Sequence, residues 1–346
     1  MFNDSKKNSF LTEAKTLYSE VSKKYISENM KGNKLTYISS EDDTKLEMTG
    51  RDLQYCVLLN TDGSVKSMKV SNGEWIAELP SGKKITDLNS SDLKDGNLDN
   101  EECGPKKPKT FKEDDWDTIA NAVRSGQTSK YNVGDTKEVD LGTYGKHTLR
   151  IANMSTPNEC NDSKFSQSAC GFVVEFTDII TTHVMNPTNT NKGGWPASAM
   201  YKFLNDESDS SSIINLLPKE LKNVIKPTIT VSGHGSEDTN NITSPEDKLD
   251  KLYLLAPKEI YSDWSNPYDK ARYKTRQLDY YKIKGVTTSN KNGAIKKKSA
   301  GTAAWWWLRS ADSDTAGGFG TVDNYGDWYS GYATNADGVS PAFRIG

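Results

Sequence analysis

The chain has 346 residues, 34% hydrophobic and 26% charged, with 44 Lys and Arg against 47 Asp and Glu; its mean hydropathy is -0.74. Such a length suggests about two domains, each able to bury its own core, and eight Trp, 16 Tyr and nine Phe supply core area that the low aliphatic share does not. The near-balanced charge excludes the basic footprint of a nucleic-acid binder. No apolar run of about 18 residues offers a membrane span, and no signal-peptide pattern opens the chain.

Taken in chain order, Phe10, Ala14, Leu17, Val21 and Tyr25 recur at three- and four-residue steps and predict a helix from Ser9 to about Met30. Gly32 is suited to a left-handed cap behind it. Strands are expected at Leu46 to Met48, Gln54 to Leu59 and Val65 to Val70, with Asp62-Gly63 marking a hairpin, and then at Gly73 to Ala77. Residues 1–103 thus read as one helix followed by an antiparallel meander. Residues 104–110, Gly104-Pro105-Lys106-Lys107-Pro108-Lys109 and onward, read as a linker that holds a second domain outward.

The second domain, 111–346, opens with a short helix around Thr118 to Arg124. Strand-like pieces follow at Lys137 to Leu141, His147 to Ala152 and Phe172 to Phe176. Ser198 to Leu204 and Ser212 to Val224 read as helices, the second stopped by Pro227. A polar loop runs from Gly233 to Asp250 and an apolar run from Leu252 to Ala256; no internal repeat is visible. The fold class is therefore α+β. Cys56, Cys103, Cys160 and Cys170 allow three pairings. Loop placement and domain membership favour Cys56–Cys103 and Cys160–Cys170, with unrelated buried thiols as the alternative. None lies in a CxxC pair and no histidine is close, which argues against zinc.

Two resemblances extend this reading. The helix Phe10-Leu11-Thr12-Glu13-Ala14-Lys15 and onward, Tyr55-Cys56-Val57-Leu58-Leu59 and the Thr61-Asp62-Gly63 hairpin resemble the globular head of a type IV pilin or pseudopilin. The very hydrophobic first half of that family's helix is missing here. The abrupt start, Met1-Phe2-Asn3-Asp4, reads as a natural N-terminus cut away, with Met1 an added initiator. In the second domain the marks are Gly193-Gly194-Trp195, Leu217-Pro218-Lys219-Glu220-Leu221, Leu252-Tyr253-Leu254-Leu255, Trp306-Trp307-Leu308-Arg309-Ser310 and Gly338-Val339-Ser340-Pro341-Ala342-Phe343-Arg344-Ile345. These are similar to a domain common in surface proteins of Gram-positive gut bacteria, and to the C-type-lectin-like, formylglycine-generating-enzyme-like fold. In that fold a Trp-rich strand and a terminal strand frame an exposed face. Such domains also serve as variable proteins of diversity-generating retroelements, some of them fused to pilin heads.

From Ala311 to Gly346 there is no Lys, Glu, Gln or Met, where about six Lys or Glu would be expected at the chain's own frequencies. Gly, Asp, Ser, Thr, Ala and Tyr fill the stretch, a vocabulary close to that of antibody loops. The resemblance implies mutagenesis at template adenines, hence at Asn codons. Every residue from Ala311 to Pro341 except Trp328 is reachable by changing the first two bases of such a codon. Trp328, Trp305 to Arg309 and Val339 to Ile345 then read as framework. The candidate ligand-binding residues are Asp312, Asp314, Asp323, Tyr325, Asp327, Tyr329, Ser330, Tyr332, Thr334 and Asn335.

Other readings of the tail are an ordinary fixed binding face, a plain loop between strands, or a calcium loop, although the EF-hand spacing does not match. Catalysis is not expected. His147, His183 and His234 are scattered, no cysteine follows Cys170, and Ser232-Gly233-His234-Gly235-Ser236 lacks the strand-to-helix nucleophile elbow. The expectation is an extracellular, pilus-associated binder without cofactor or metal. Its partners would be a protein or glycan on a host, bacterial or phage surface, and other pilins through the missing helix; no nucleic acid and no membrane contact by this sequence are expected. The alternatives are a minor pilin with a fixed glycan- or protein-binding face and a formylglycine-generating-enzyme-like enzyme.

Overall fold

A computed structural model describes residues 2–48, 52–98, 103–104, 106–236 and 249–346. Met1, Pro105 of the expected linker and residues 237–248 of the expected polar loop lie outside the described residues. The chain divides into two compact units, Met1–Lys106 and Lys107–Gly346. About 27% is helix and 24% strand, and the class is α+β with antiparallel sheets.

In the first unit the helix α1 spans Phe2–Met30. Phe10, Ala14, Leu17 and Val21 are fully buried against the sheet's apolar residues, among them Val57, Val70 and Trp75. Each large side chain of that stripe contributes about 1.5–3 kcal/mol by leaving water. Gly32 closes the helix with a positive φ, and the Asn33 N–H reaches back to the Glu28 carbonyl. The sheet is a meander of β1 (Tyr37–Ser39), β2 (Gln54–Leu59), β3 (Val65–Ser71), β4 (Trp75–Leu79) and β5 (Lys94–Asp95), paired in that order. The β2–β3 turn carries Gly63 at a φ of +82°; a Cβ there would lie 2.1 Å from the Tyr25 ring, whose hydroxyl donates to the Thr61 carbonyl. Here only glycine satisfies both the backbone conformation and the close approach.

Two details depart from the sequence reading. Leu46 to Met48 is not a strand: Leu46 is buried in a loop whose N–H donates to the Tyr55 hydroxyl at 2.7 Å. The edge position belongs to β1, a three-residue segment that buries Ile38 in the core and is tied to the neighbouring Asp42–Thr44 turn through the Ser39 N–H. Cys56 and Cys103 are joined, as are Cys160 and Cys170.

The second unit opens with α2 (Trp116–Ser125), N-capped by the Asp115 carboxylate accepting from the Thr118 N–H. The strands β6 (Thr136–Asp140), β7 (Lys146–Asn153), β8 (Val173–Phe176) and β9 (Thr181–Val184) follow. Next come α3 (Gly194–Ala197), α4 (Ala199–Asn205), α5 (Ile213–Leu216), α6 (Lys219–Val224) and β10 (Ile225–Lys226). The single helix expected over Ser212 to Val224 is split, because Pro218 forces Leu217 into extended backbone. After α7 (Pro257–Ile260) and α8 (Asp279–Ile283), the C-terminal strands are β11 (Trp306–Ala311), β12 (Gly318–Val322), β13 (Trp328–Tyr332), β14 (Ala336–Val339) and β15 (Ala342–Ile345).

These strands form two sheets, ordered β10-β15-β8-β7-β6 and β13-β12-β11-β14-β9. All pairings are antiparallel except β11 with β14. The Trp-rich strand β11 and the terminal strand β15 therefore belong to different sheets. The apolar run Leu252 to Ala256 lies between them as buried irregular chain. Tyr253 exchanges both backbone hydrogen bonds with Ala342 of β15, and the Leu255 carbonyl accepts from the Arg309 N–H of β11. Buried ions lock the same region. Arg309 and Glu259, both without solvent exposure, pair through two contacts at 2.6 and 2.7 Å. The same two carboxylate oxygens of Glu259 also accept from the Ser168 and Thr275 hydroxyls and the Ala256 N–H. In the other sheet, burial pushes the Glu175 carboxyl up, but Lys296 and Arg150 outweigh it and hold it down at about 2.

Candidate ligand-binding face

The second sheet presents β13 at its edge, carried by the hairpin β12–β13 with Thr321 opposite Tyr329 and Gly318 opposite Tyr332. The hairpin tip is built by Asp323. Its Oδ1 accepts from the Tyr325 and Asp327 N–H groups, both at 2.8 Å, while its own N–H donates to the Asp327 carbonyl. Gly326 stands in this turn at a φ of +85°, where a Cβ would come within 2.4 Å of the Lys291 carbonyl oxygen. The buried Tyr261 hydroxyl donates to the Gly326 carbonyl at 2.7 Å. A rigid turn thus lifts Tyr325 into solvent, 67% exposed.

The loop between β11 and β12 is held in another way. The Asp312 Oδ1 accepts from the Asp314 N–H at 2.8 Å. Buried Asn191 donates its side-chain amide to the carbonyls of Asp312, Thr315 and Gly318, at 2.7 to 2.9 Å. An amide has two hydrogens, so one is shared between acceptors. Asn189 supports the far end of β13 by accepting from the Ala333 N–H.

The ten residues expected to bind ligand divide on this scaffold. Asp314, Tyr325, Tyr329, Ser330, Tyr332, Thr334 and Asn335 are exposed. Asp312 and Asp323 are corrections: both are buried, with carboxylates engaged by turn N–H groups, so they shape the face without presenting themselves on it. Asp327 is half-buried and ion-paired with Lys291. Among the framework residues, Trp306, Trp307, Leu308 and Arg309 are fully buried, and half-buried Trp328 packs on Trp264 at 4.8 Å between ring centroids. Trp305 breaks the pattern. It is 38% exposed and its ring lies 5.1 Å from that of Tyr329, itself 46% exposed. The residue was expected in the framework because its neighbours are; it lies before the first residue of β11, outside the strand that buries them.

Beside Trp305 lies an open cleft of about 410 Å³, bordered also by Thr182, Lys298, Asn324 and Asp337. Asp337 stands on β14 opposite His183 of β9, and its Oδ2 is buried without a hydrogen-bond partner. That burial raises its carboxyl above the usual range. Sequence reasoning missed Trp305, Asp337 and the two supporting asparagines. A signal for the last lay in Asn186-Pro187-Thr188-Asn189-Thr190-Asn191, whose repeated short amides suit turn carbonyls and N–H groups better than a strand or helix. Among the described residues no group of three or more His, Cys, Asp and Glu gathers to hold a metal ion.

What these parts define is an α+β protein whose second unit carries an aromatic and polar hairpin face on a rigid, buried frame. The family model that matches it is DUF6273, described as a domain of unknown function, over residues 173–346. That match covers half of the chain, which belongs to this family; it begins at the first residue of β8 and takes in the whole of the second sheet. No curated protein and no solved structure matches the chain.

Proposed function

We propose that the protein is a surface-displayed, pilin-type adhesin or receptor-binding protein whose C-terminal, C-type-lectin-like face is a diversified ligand-binding site, the target of a diversity-generating retroelement. The observation that carries this reading is the separation of roles in the tail. Tyr325, Tyr329, Ser330, Tyr332, Thr334 and Asn335 are exposed, whereas the adjoining Trp306, Trp307, Leu308, Val339, Ala342 and Phe343 are fully buried. Tyr offers wide amphipathic contact for two lost torsions, and Ser, Thr and Asn adapt their hydrogen bonds to the ligand. Such a surface changes its side chains without disturbing the core beneath.

In this reading the first unit is a pilin-like head, its helix α1 packed on an antiparallel meander. The two disulfides suit an oxidising, extracellular setting. Among the described residues no helix is long and apolar enough to cross a membrane. Binding requires neither cofactor nor catalysis.

The test is the DNA beside the gene. The reading expects a reverse transcriptase gene and a near-copy of the 3′ end that differs from it only at adenine positions. Identical tails across many isolates, with no such copy, would overturn diversification and leave a minor pilin with a fixed binding face.

A further inference from the structure

The cleft between Trp305 and Asp337 combines features that neither the outer tyrosines nor the buried frame explains. The Trp305 carbonyl accepts from the Gly338 N–H at 2.8 Å, so the indole and the carboxylate sit on adjacent strand positions. Tyr329 backs the indole, leaving part of the ring open to solvent. Asp337 Oδ2 is a buried acceptor with no donor, and an unmet buried acceptor costs on the order of 1–3 kcal/mol, more when charged. Buried groups of this kind are rare in native folds and call for a partner. Lys298 also borders the cleft but makes no hydrogen bond to that oxygen, and from Ala311 to Gly346 the ionisable charges are five Asp against the single Arg344.

An aromatic face beside an unsatisfied carboxylate is complementary to a planar cation. A guanidinium can lie over an indole ring and at the same time direct its N–H fork at a carboxylate. A lysine ammonium can satisfy the carboxylate but makes a poorer partner for the ring plane. Asn324, at the border of the cleft, adds an amide oxygen able to accept from the guanidinium's remaining hydrogens.

We infer that the Trp305–Asp337 cleft is an anchor site for an arginine side chain presented by a protein partner. This rests on the binding-face reading above and names the chemistry of the ligand that the face takes. The exposed Tyr325 and Tyr332 would then contact the partner around the anchored arginine, as a rim around a hot spot.

The test uses the protein with the capped peptides Ac-Gly-Arg-Gly-NH2, Ac-Gly-Lys-Gly-NH2 and Ac-Gly-citrulline-Gly-NH2, and with lactose. Binding is read by NMR shift changes of the tryptophan indole N–H signals. The arginine peptide is expected to bind with a Kd on the order of 1 mM, the scale of a single anchored side chain. The lysine peptide should bind at least several-fold more weakly; citrulline, isosteric but neutral, and lactose should not bind. Asp337→Asn, which keeps the shape, and Trp305→Ala should each weaken the arginine peptide about tenfold or more, equal to about 1.4 kcal/mol. Unfolding midpoints of both variants check that the fold survives.

Absence of binding by the arginine peptide, equal binding by citrulline, binding of lactose instead, or indifference to Asp337→Asn each overturns the inference. A Tyr325→Ala, Tyr332→Ala double variant separates it from the broader reading. If the arginine cleft fails while binding to whole cells still depends on those tyrosines, only the anchor falls. If neither the peptides nor cells bind, both readings fall together.

Discussion

Arg309 on β11 and Tyr332 on β13 lie two strands apart in one sheet, and the fold treats them oppositely. Arg309 is wholly buried, and its guanidinium contacts Glu259, Ser168 and the Leu254 carbonyl. Tyr332 is 65% exposed. Polarity alone would sort them the other way, since a charge belongs in water and a large ring in a core. The arrangement is stable because the charge is matched by a carboxylate with two-point geometry, while the ring lies on a hairpin whose main chain is fixed by Asp323, Asn189 and Asn191. Burial is concentrated in the inner strand and exposure in the edge strand.

The largest test of that contrast is Arg309→Met. Removing one partner of a buried pair leaves Glu259 uncompensated, and the expected loss is about 3–5 kcal/mol in urea unfolding. Adding Glu259→Leu should recover much of it; if the single variant loses under about 1 kcal/mol, the buried pair is not what holds β11.

Next in size is Gly326→Ala. Its positive φ and the Lys291 carbonyl 2.4 Å from the new Cβ predict a loss of about 1–3 kcal/mol and a displaced hairpin tip. A thermal melt unchanged within error would show that the turn gives way freely, and the rigid-display argument would fail with it.

A third, smaller effect depends on pH. Burial works against a charged His147, but the Asp178 carboxylate at 2.7 Å, aided by the Tyr144 carbonyl, outweighs it and raises the imidazole's pKa. A raised folded value means that the contribution is fully present below the unfolded value of about 6.5 and is lost as pH rises through the folded one. Stability should therefore decline as pH rises above about 6.5, and His147→Asn should flatten that part of the profile. Urea midpoints across the range decide it, and an unchanged slope in the variant would assign the titration elsewhere.

The smallest expected effect is on the exposed side of the contrast. Tyr325→Ala and Tyr332→Ala should each alter stability by no more than about 0.5 kcal/mol, while the proposed binding role requires that they sharply reduce attachment to a ligand. A large loss of stability in either would mean that these rings belong to the fold.

Much of the frame was legible in the sequence because it rests on local rules. The apolar stripe of α1, the Gly32 cap behind it and the Asp62-Gly63 turn each depend on residues a few positions apart. What escaped depends on distant partners. Leu252 to Ala256 has the composition of a strand, yet its hydrogen bonds are divided between β15 and β11. Pro218 interrupts an apolar periodicity that otherwise continues through both short helices. In the candidate site, the composition of the tail pointed to the exposed tyrosines, but it could not separate Asp314, in solvent, from Asp312 and Asp323, whose carboxylates are spent on turns. Trp305 and Asp337 meet only when β14 pairs with β11, a contact that no window of sequence contains.

Asn191 carries a consequence of its own. Every acceptor its amide engages in the Asp312–Gly318 loop is a main-chain carbonyl. The clamp is therefore blind to the identity of the side chains at Ser313, Asp314, Thr315 and Ala316, since any L-residue offers the same oxygen. Mutational drift could rewrite that loop many times over and find its path unchanged, because the instruction for the path is stored in a residue more than a hundred positions upstream.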